Sequence, residues 1–101
     1  MDIFTFEESK VLEEGIGFLF KEVVKSGKIS IRQILLKTGG KLDKHKEQAE
    51  VIYYVNKGEG TMVINAERKR ITEGMYIVCP AKAMRSIINS SSKDLSVIII
   101  A

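Results

Sequence analysis

Turn residues punctuate this 101-residue chain at intervals of about ten residues from position 15 onward, and the apolar runs between them are short. "GIGFLFKEVV" stops at "SGK", and "ISIRQILLK" alternates around its polar residues until "TGG". "EVIYYV" runs into "NKGEG", where Gly58 and Gly60 supply the positive φ that a tight hairpin demands. "TMVIN", a turn at "AE", "RKRI" and the turn "TEG" follow, and "MYIVCP" ends at the only proline, Pro80. "RSIIN", the loop "SSSKD" and "LSVIII" finish the chain. Strands of this length and spacing predict an all-β sandwich or barrel. The one helix candidate is N-terminal, where Thr5 and Glu8 have capping-box spacing ahead of "SKVLEE". No linker or repeat divides the chain, so a single domain over residues 1–101 is expected.

Composition removes several functional classes. The net charge is +3, with lysine and arginine scattered among acids, so no basic block tracks a phosphate backbone and nucleic acid is not an expected partner. One cysteine, Cys79, excludes an intrachain disulfide and a cysteine-rich zinc site. It lies in the apolar "YIVCP" and reads as a small buried hydrophobe. Met62, Met75 and Met84 fall on predicted strands and read as barrel filling, and "ERKR" reads as a solvated hairpin. "MDIFTFEESK" is acidic and unlike a signal peptide, and the apolar runs are too short for a membrane span. A cytoplasmic protein is the expectation.

Two stretches carry more than strand signals. "GGKLDKHKEQAEVIYYVNKGEG" and "GMYIVCPAKAMRSIIN" together resemble the two motifs of the cupin family, over a motif region of about residues 39–89. Gly39, Gly58, Gly74, Pro80 and Asn89 match the family's structural positions. The resemblance implies a cupin-like jelly-roll barrel (a double-stranded β-helix), a small-molecule pocket and a homodimer. It also implies a metal held by three histidines and a glutamate, and here the chain departs. Those four positions fall on His45, Glu47, Val51 and Arg85, so only His45 keeps its type.

The departure argues against a cofactor in this register. Valine has no donor atom, and a guanidinium stays protonated and cannot coordinate. A fixed positive charge 4 Å from a cation costs roughly 4 kcal/mol at an effective dielectric near 20. No cofactor is therefore predicted. An alternative register takes Asp43, His45 and Glu50 as ligands of a divalent transition metal in an isomerase, lyase or oxygenase. It leaves Glu50 one residue out of step with Gly58, which turns a strand side chain to the other face unless a bulge absorbs the slip.

The metal-free register suggests a ligand pocket built from His45, Glu47, Tyr53 and Arg85. Tyr53 shares the parity of His45, Glu47 and Val51 and offers a hydroxyl. Glu47 and Arg85 are expected to pair across the barrel mouth. Arg85, with His45 and Lys82 at the rim, suits the carboxylate or phosphate of a small anionic ligand. His45 and Glu47 are also residue types that exchange protons near neutral pH, so catalysis stays open beside binding. Finally, "GFLFKEVV" is apolar on both faces and needs a cover on each, one of which a partner subunit can supply.

Overall fold

The computed structural model describes all residues, Met1–Ala101. Ten strands follow one another: β1 (Lys10–Gly15), β2 (Phe18–Ser26), β3 (Ile29–Leu36), β4 (Lys41–His45), β5 (Val51–Lys57), β6 (Glu59–Ile64), β7 (Glu67–Thr72), β8 (Tyr76–Cys79), β9 (Arg85–Ile88) and β10 (Leu95–Ile100). They form a six-stranded sheet in the order β1-β2-β3-β10-β5-β8 and a four-stranded sheet in the order β4-β9-β6-β7, with every pairing antiparallel. The all-β architecture expected from the turn spacing is what forms, and it takes the jelly-roll form that the resemblance implies.

Period-two alternation fills the barrel. Val51, Tyr53 and Val55 of β5 point inward, as do Ile34 and Leu36 of β3, Val97 and Ile99 of β10, and Ile87 of β9. The intervening side chains of β5, Ile52 and Tyr54, are half-buried on the outer face. Cys79 is buried and free, as expected of a small hydrophobe. Met62 fills the barrel, whereas Met75 and Met84 are exposed.

Two local expectations are corrected. The N-terminal helix does not form. Thr5 Oγ1 accepts from Glu8 N at 3.3 Å, so the capping contact exists, but it closes a single turn. The turn at Ile16–Gly17, with Gly17 at φ 80°, then folds Lys10–Gly15 back onto β2, whose ladder satisfies its backbone. Nor is "NKGEG" a hairpin, because β5 and β6 belong to different sheets. Gly58, at φ 83°, carries the chain from one sheet to the other, and a Cβ there would collide with the Asp94 carbonyl oxygen. Only glycine meets both conditions.

The N-terminal segment also bears on β2. Lys21 is buried beneath it, donating from Nζ to the carbonyls of Phe6 at 2.8 Å and Glu7 at 3.1 Å, over the Phe6 ring. Phe18 and Phe20, on the opposite face of β2, pack against the core. Both faces of "GFLFKEVV" thus receive cover from the chain itself.

Candidate functional site

The site lies where β4 and β9 pair. Leu42 sits opposite Ile87 and His45 opposite Arg85, so β4 uses three steps where β9 uses two. The surplus residue is a β-bulge. Its effect is to turn His45 onto the same inward face as Leu42 and to leave Asp43 and Lys44 unpaired and exposed. The carbonyl oxygen of Asp43 lies 2.9 Å from Nδ1 of His45.

The bulge removes Asp43 from the alternative metal set, because its carboxylate faces solvent and lies 3.6 Å from Lys41 Nζ. Glu50 is exposed as well, directly before the inward-facing Val51. No three His, Cys, Asp or Glu side chains gather anywhere in the structure in a way that could hold a metal ion. Around His45 the donors come down to one imidazole and Glu47, whose carboxylate already accepts from a guanidinium. That donor set does not fit a divalent transition metal.

Glu47 and Arg85 do not pair with each other. Glu47 Oε2 accepts from Arg32 Nη2 at 2.8 Å, and it lies 3.8 Å from His45 Nε2. Arg32 comes from β3 in the other sheet, its guanidinium over the ring of Phe20 at 5.6 Å. The sequence did carry a signal for it: Arg32 shares the parity of Ile34 and Leu36 and must face inward. Strand alternation names a face, however, and not the partner across the barrel.

Arg85 is 1% exposed. Its Nε and Nη2 donate to the Ala83 carbonyl at 3.1 and 3.0 Å, and Nη2 also reaches the Pro80 carbonyl at 3.0 Å. Nη1 has no partner, and no carboxylate forms an ion pair with the group. Beside it the Tyr53 hydroxyl is also buried, with no hydrogen bond of standard geometry and the Arg85 guanidinium as its polar neighbour. Burial pushes the Tyr53 phenol above its ordinary range, and the neighbouring guanidinium pulls partway back. Burial raises the Cys79 thiol too, again opposed by Arg85. Lys82 contributes through its backbone: its N–H donates to the Glu47 carbonyl at 2.8 Å, from a left-handed conformation (φ 66°), and its side chain is exposed.

A cavity of about 240 Å³ opens at this end of the barrel. Phe18, Phe20, Leu42 and Ile99 give it apolar walls, and Arg32, His45 and Glu47 give it polar groups. Of the four expected pocket residues, His45 and Glu47 line it, while Tyr53 and Arg85 lie deeper in the barrel interior.

Two antiparallel sheets closed around a side-chain core, with polar groups converging at one open end, define a small jelly-roll domain. The chain belongs to the cupin family: the family profile described as "Cupin domain" matches residues 32–101. No curated protein matches it in sequence. Among solved structures, KdgF from Halomonas sp. is similar at 18% identity and TM-score 0.83, covering 99% of this chain and 92% of that one. A predicted oxalate decarboxylase from Thermotoga maritima gives 20% and 0.83, with 98% and 96% covered. The polyketide cyclase RemF from Streptomyces resistomycificus gives 14% and 0.85, with 100% and 78% covered. At these identities the likeness is one of fold. No helix of the structure is long and apolar enough to cross a membrane.

Proposed function

We propose that this protein binds a small organic anion, its charged end received by Arg85 and Tyr53 and its body held in the cavity lined by His45 and Glu47. One observation carries the reading: Arg85 is a buried charge with no counter-ion and one free N–H-bearing nitrogen. A guanidinium cannot shed its proton to escape burial. An unpaired buried charge costs several kcal/mol, and an anionic ligand supplies what is missing. The Tyr53 hydroxyl beside it, with no hydrogen bond of standard geometry, is a second donor for the same oxygen. A carboxylate suits this arrangement, since the planar fork of arginine accommodates its two oxygens.

The test is a thermal-shift screen of mono- and dicarboxylates and sugar phosphates against wild type and Arg85→Met, which keeps length and removes charge. At least one carboxylate should raise the melting temperature of wild type and leave Arg85→Met unmoved. A wild type indifferent to every compound, or a variant that responds equally, overturns the reading.

The same reading includes a second copy of the chain. On the outer face of the six-stranded sheet, Ile52 stands opposite Ile100 and Val78, Tyr54 opposite Tyr76, and Ile100 opposite Ile31. Tyr76 and Val78 are exposed, and the Tyr54 and Tyr76 rings lie 4.4 Å apart. A continuous apolar face of this kind supports an isologous homodimer. Light scattering behind gel filtration should give twice the chain mass, falling to one mass in Tyr76→Lys/Val78→Lys. A monomeric wild type sinks the dimer and leaves the ligand reading standing.

A further inference from the structure

The hydrogen bond that orients His45 also decides which of its nitrogens can react. The Asp43 carbonyl oxygen only accepts, so Nδ1, at 2.9 Å from it, carries the proton. The neutral ring then holds its free lone pair on Nε2. That nitrogen is 3.8 Å from Glu47 Oε2, beyond a direct hydrogen bond and close enough to stabilise an imidazolium. Arg32 fixes the carboxylate in place at 2.8 Å, and the Lys82 N–H holds the Glu47 backbone. Both His45 and Glu47 border the cavity, together with the apolar Phe18, Phe20, Leu42 and Ile99 and with further charged side chains, Arg32 among them. Across the β4–β9 ladder, directly opposite His45, lies Arg85.

From this geometry we infer that the cavity catalyses proton transfer at carbon: His45 Nε2 removes a proton from the carbon next to the carbonyl of a bound 2-oxo acid. The inference rests on the binding reading above, because Arg85 is what holds the substrate's carboxylate. The lone pair of Nε2 forms an N–H bond as the C–H bond breaks, and the C–H electron pair moves into the carbonyl to give an enolate. The positive Arg85 offsets the charge growing on the substrate, and Glu47 offsets the charge growing on the ring. The abstracted proton passes from Nε2 to solvent, and delivery of a solvent proton to the same carbon, with the enolate electron pair returning to form the C–H bond, restores the ketone and completes an exchange. No oxidant, reductant or reactant other than solvent enters. His45 is the catalytic base here, and Glu47 and Arg32 are positioning residues.

The test uses the whole chain with pyruvate and 2-oxobutyrate as probes. Loss of the protons next to the ketone is followed by proton NMR in D₂O, and binding is followed by thermal shift on the same samples. Wild type should speed exchange at least about 100-fold over buffer, the lower end for a positioned acid–base group. His45→Asn, whose amide can still donate to the Asp43 carbonyl, should drop to the buffer rate while a reduced thermal shift remains. Glu47→Gln should retain exchange at a lower rate with an altered pH profile, which a purely structural role does not predict. Binding without exchange in wild type, or full exchange in His45→Asn, overturns the catalytic inference and spares the binding reading. Absence of both binding and exchange overturns both.

Discussion

Arg85 and Asn89 stand four residues apart, one opening β9 and the other directly after it, both polar and both within 1% of complete burial. They differ in how their polar atoms are used. Asn89 Nδ2 donates to the carbonyls of Leu36 at 2.8 Å and Lys93 at 2.7 Å, while Oδ1 accepts from the Ser91 N–H at 3.0 Å and its hydroxyl at 2.7 Å. Every bonding direction of the amide is spent, and the side chain ties β3 to the loop before β10. Arg85 spends three bonds on two local carbonyls and leaves a charged nitrogen idle. A satisfied buried polar group belongs to the architecture; an unsatisfied one calls for a reason beyond the architecture, and the binding reading supplies one for Arg85.

The largest effect that sharpens this contrast belongs to Asn89→Ala. It strands the Leu36 carbonyl in the core and frees the Ser91 loop, and should cost about 3 kcal/mol in urea unfolding, from unsatisfied buried groups worth about 1–3 kcal/mol each. A loss below about 1 kcal/mol would erase the distinction between the two residues. Arg85→Met should go the other way, leaving stability unchanged or raising it by about 1–2 kcal/mol, since replacing a buried charge by a fitting apolar chain is often neutral or favourable. A large loss there would make Arg85 a structural element like Asn89.

The smallest effect lies at alkaline pH. The folded state raises the Tyr53 phenol above its ordinary 10.0 and the Cys79 thiol above its ordinary 9.0, so the unfolded chain releases both protons first. Stability is therefore whole below about pH 9 and falls as pH rises beyond it, where the folded state binds more protons than the unfolded one. Tyr53→Phe should flatten the tyrosine part of that decline. At neutral pH it should be neutral or gain up to about 1 kcal/mol, because the hydroxyl it removes makes no hydrogen bond of standard geometry. An unchanged alkaline slope would mean that the hydroxyl is not sequestered beside Arg85.

The barrel was legible in the sequence because period-two alternation and glycine-bounded runs are local properties. The motif register went further and put His45 and Arg85 among the four positions singled out by the resemblance, but it expected Glu47 to face Arg85, whereas in the β4–β9 ladder His45 does. What stayed hidden depends on pairings between distant segments. "KLDKH" contains no glycine to announce a bulge, so nothing local shows that Asp43 turns outward. The partner of Glu47 comes from β3 rather than from the motif strand, and a parity argument cannot choose between Arg32 and Arg85 across a barrel. At the N-terminus the capping signal is real, but pairing with β2 outweighs one turn of helix. Gly58 reads locally as a hairpin because a sheet-to-sheet crossing demands the same backbone freedom.

The bulge in β4 has a consequence for how such a site can change. Asp43 and Lys44 lack partners on β9, and it is this slack stretch that offers the carbonyl holding the imidazole. Trim one residue from it and an even ladder still seats the ring inward, opposite Arg85, while the tether that decides where its hydrogen rests is gone. Chemical character in this pocket is thus tuned by the length of a strand, and a catalogue of point substitutions would pass over that lever entirely.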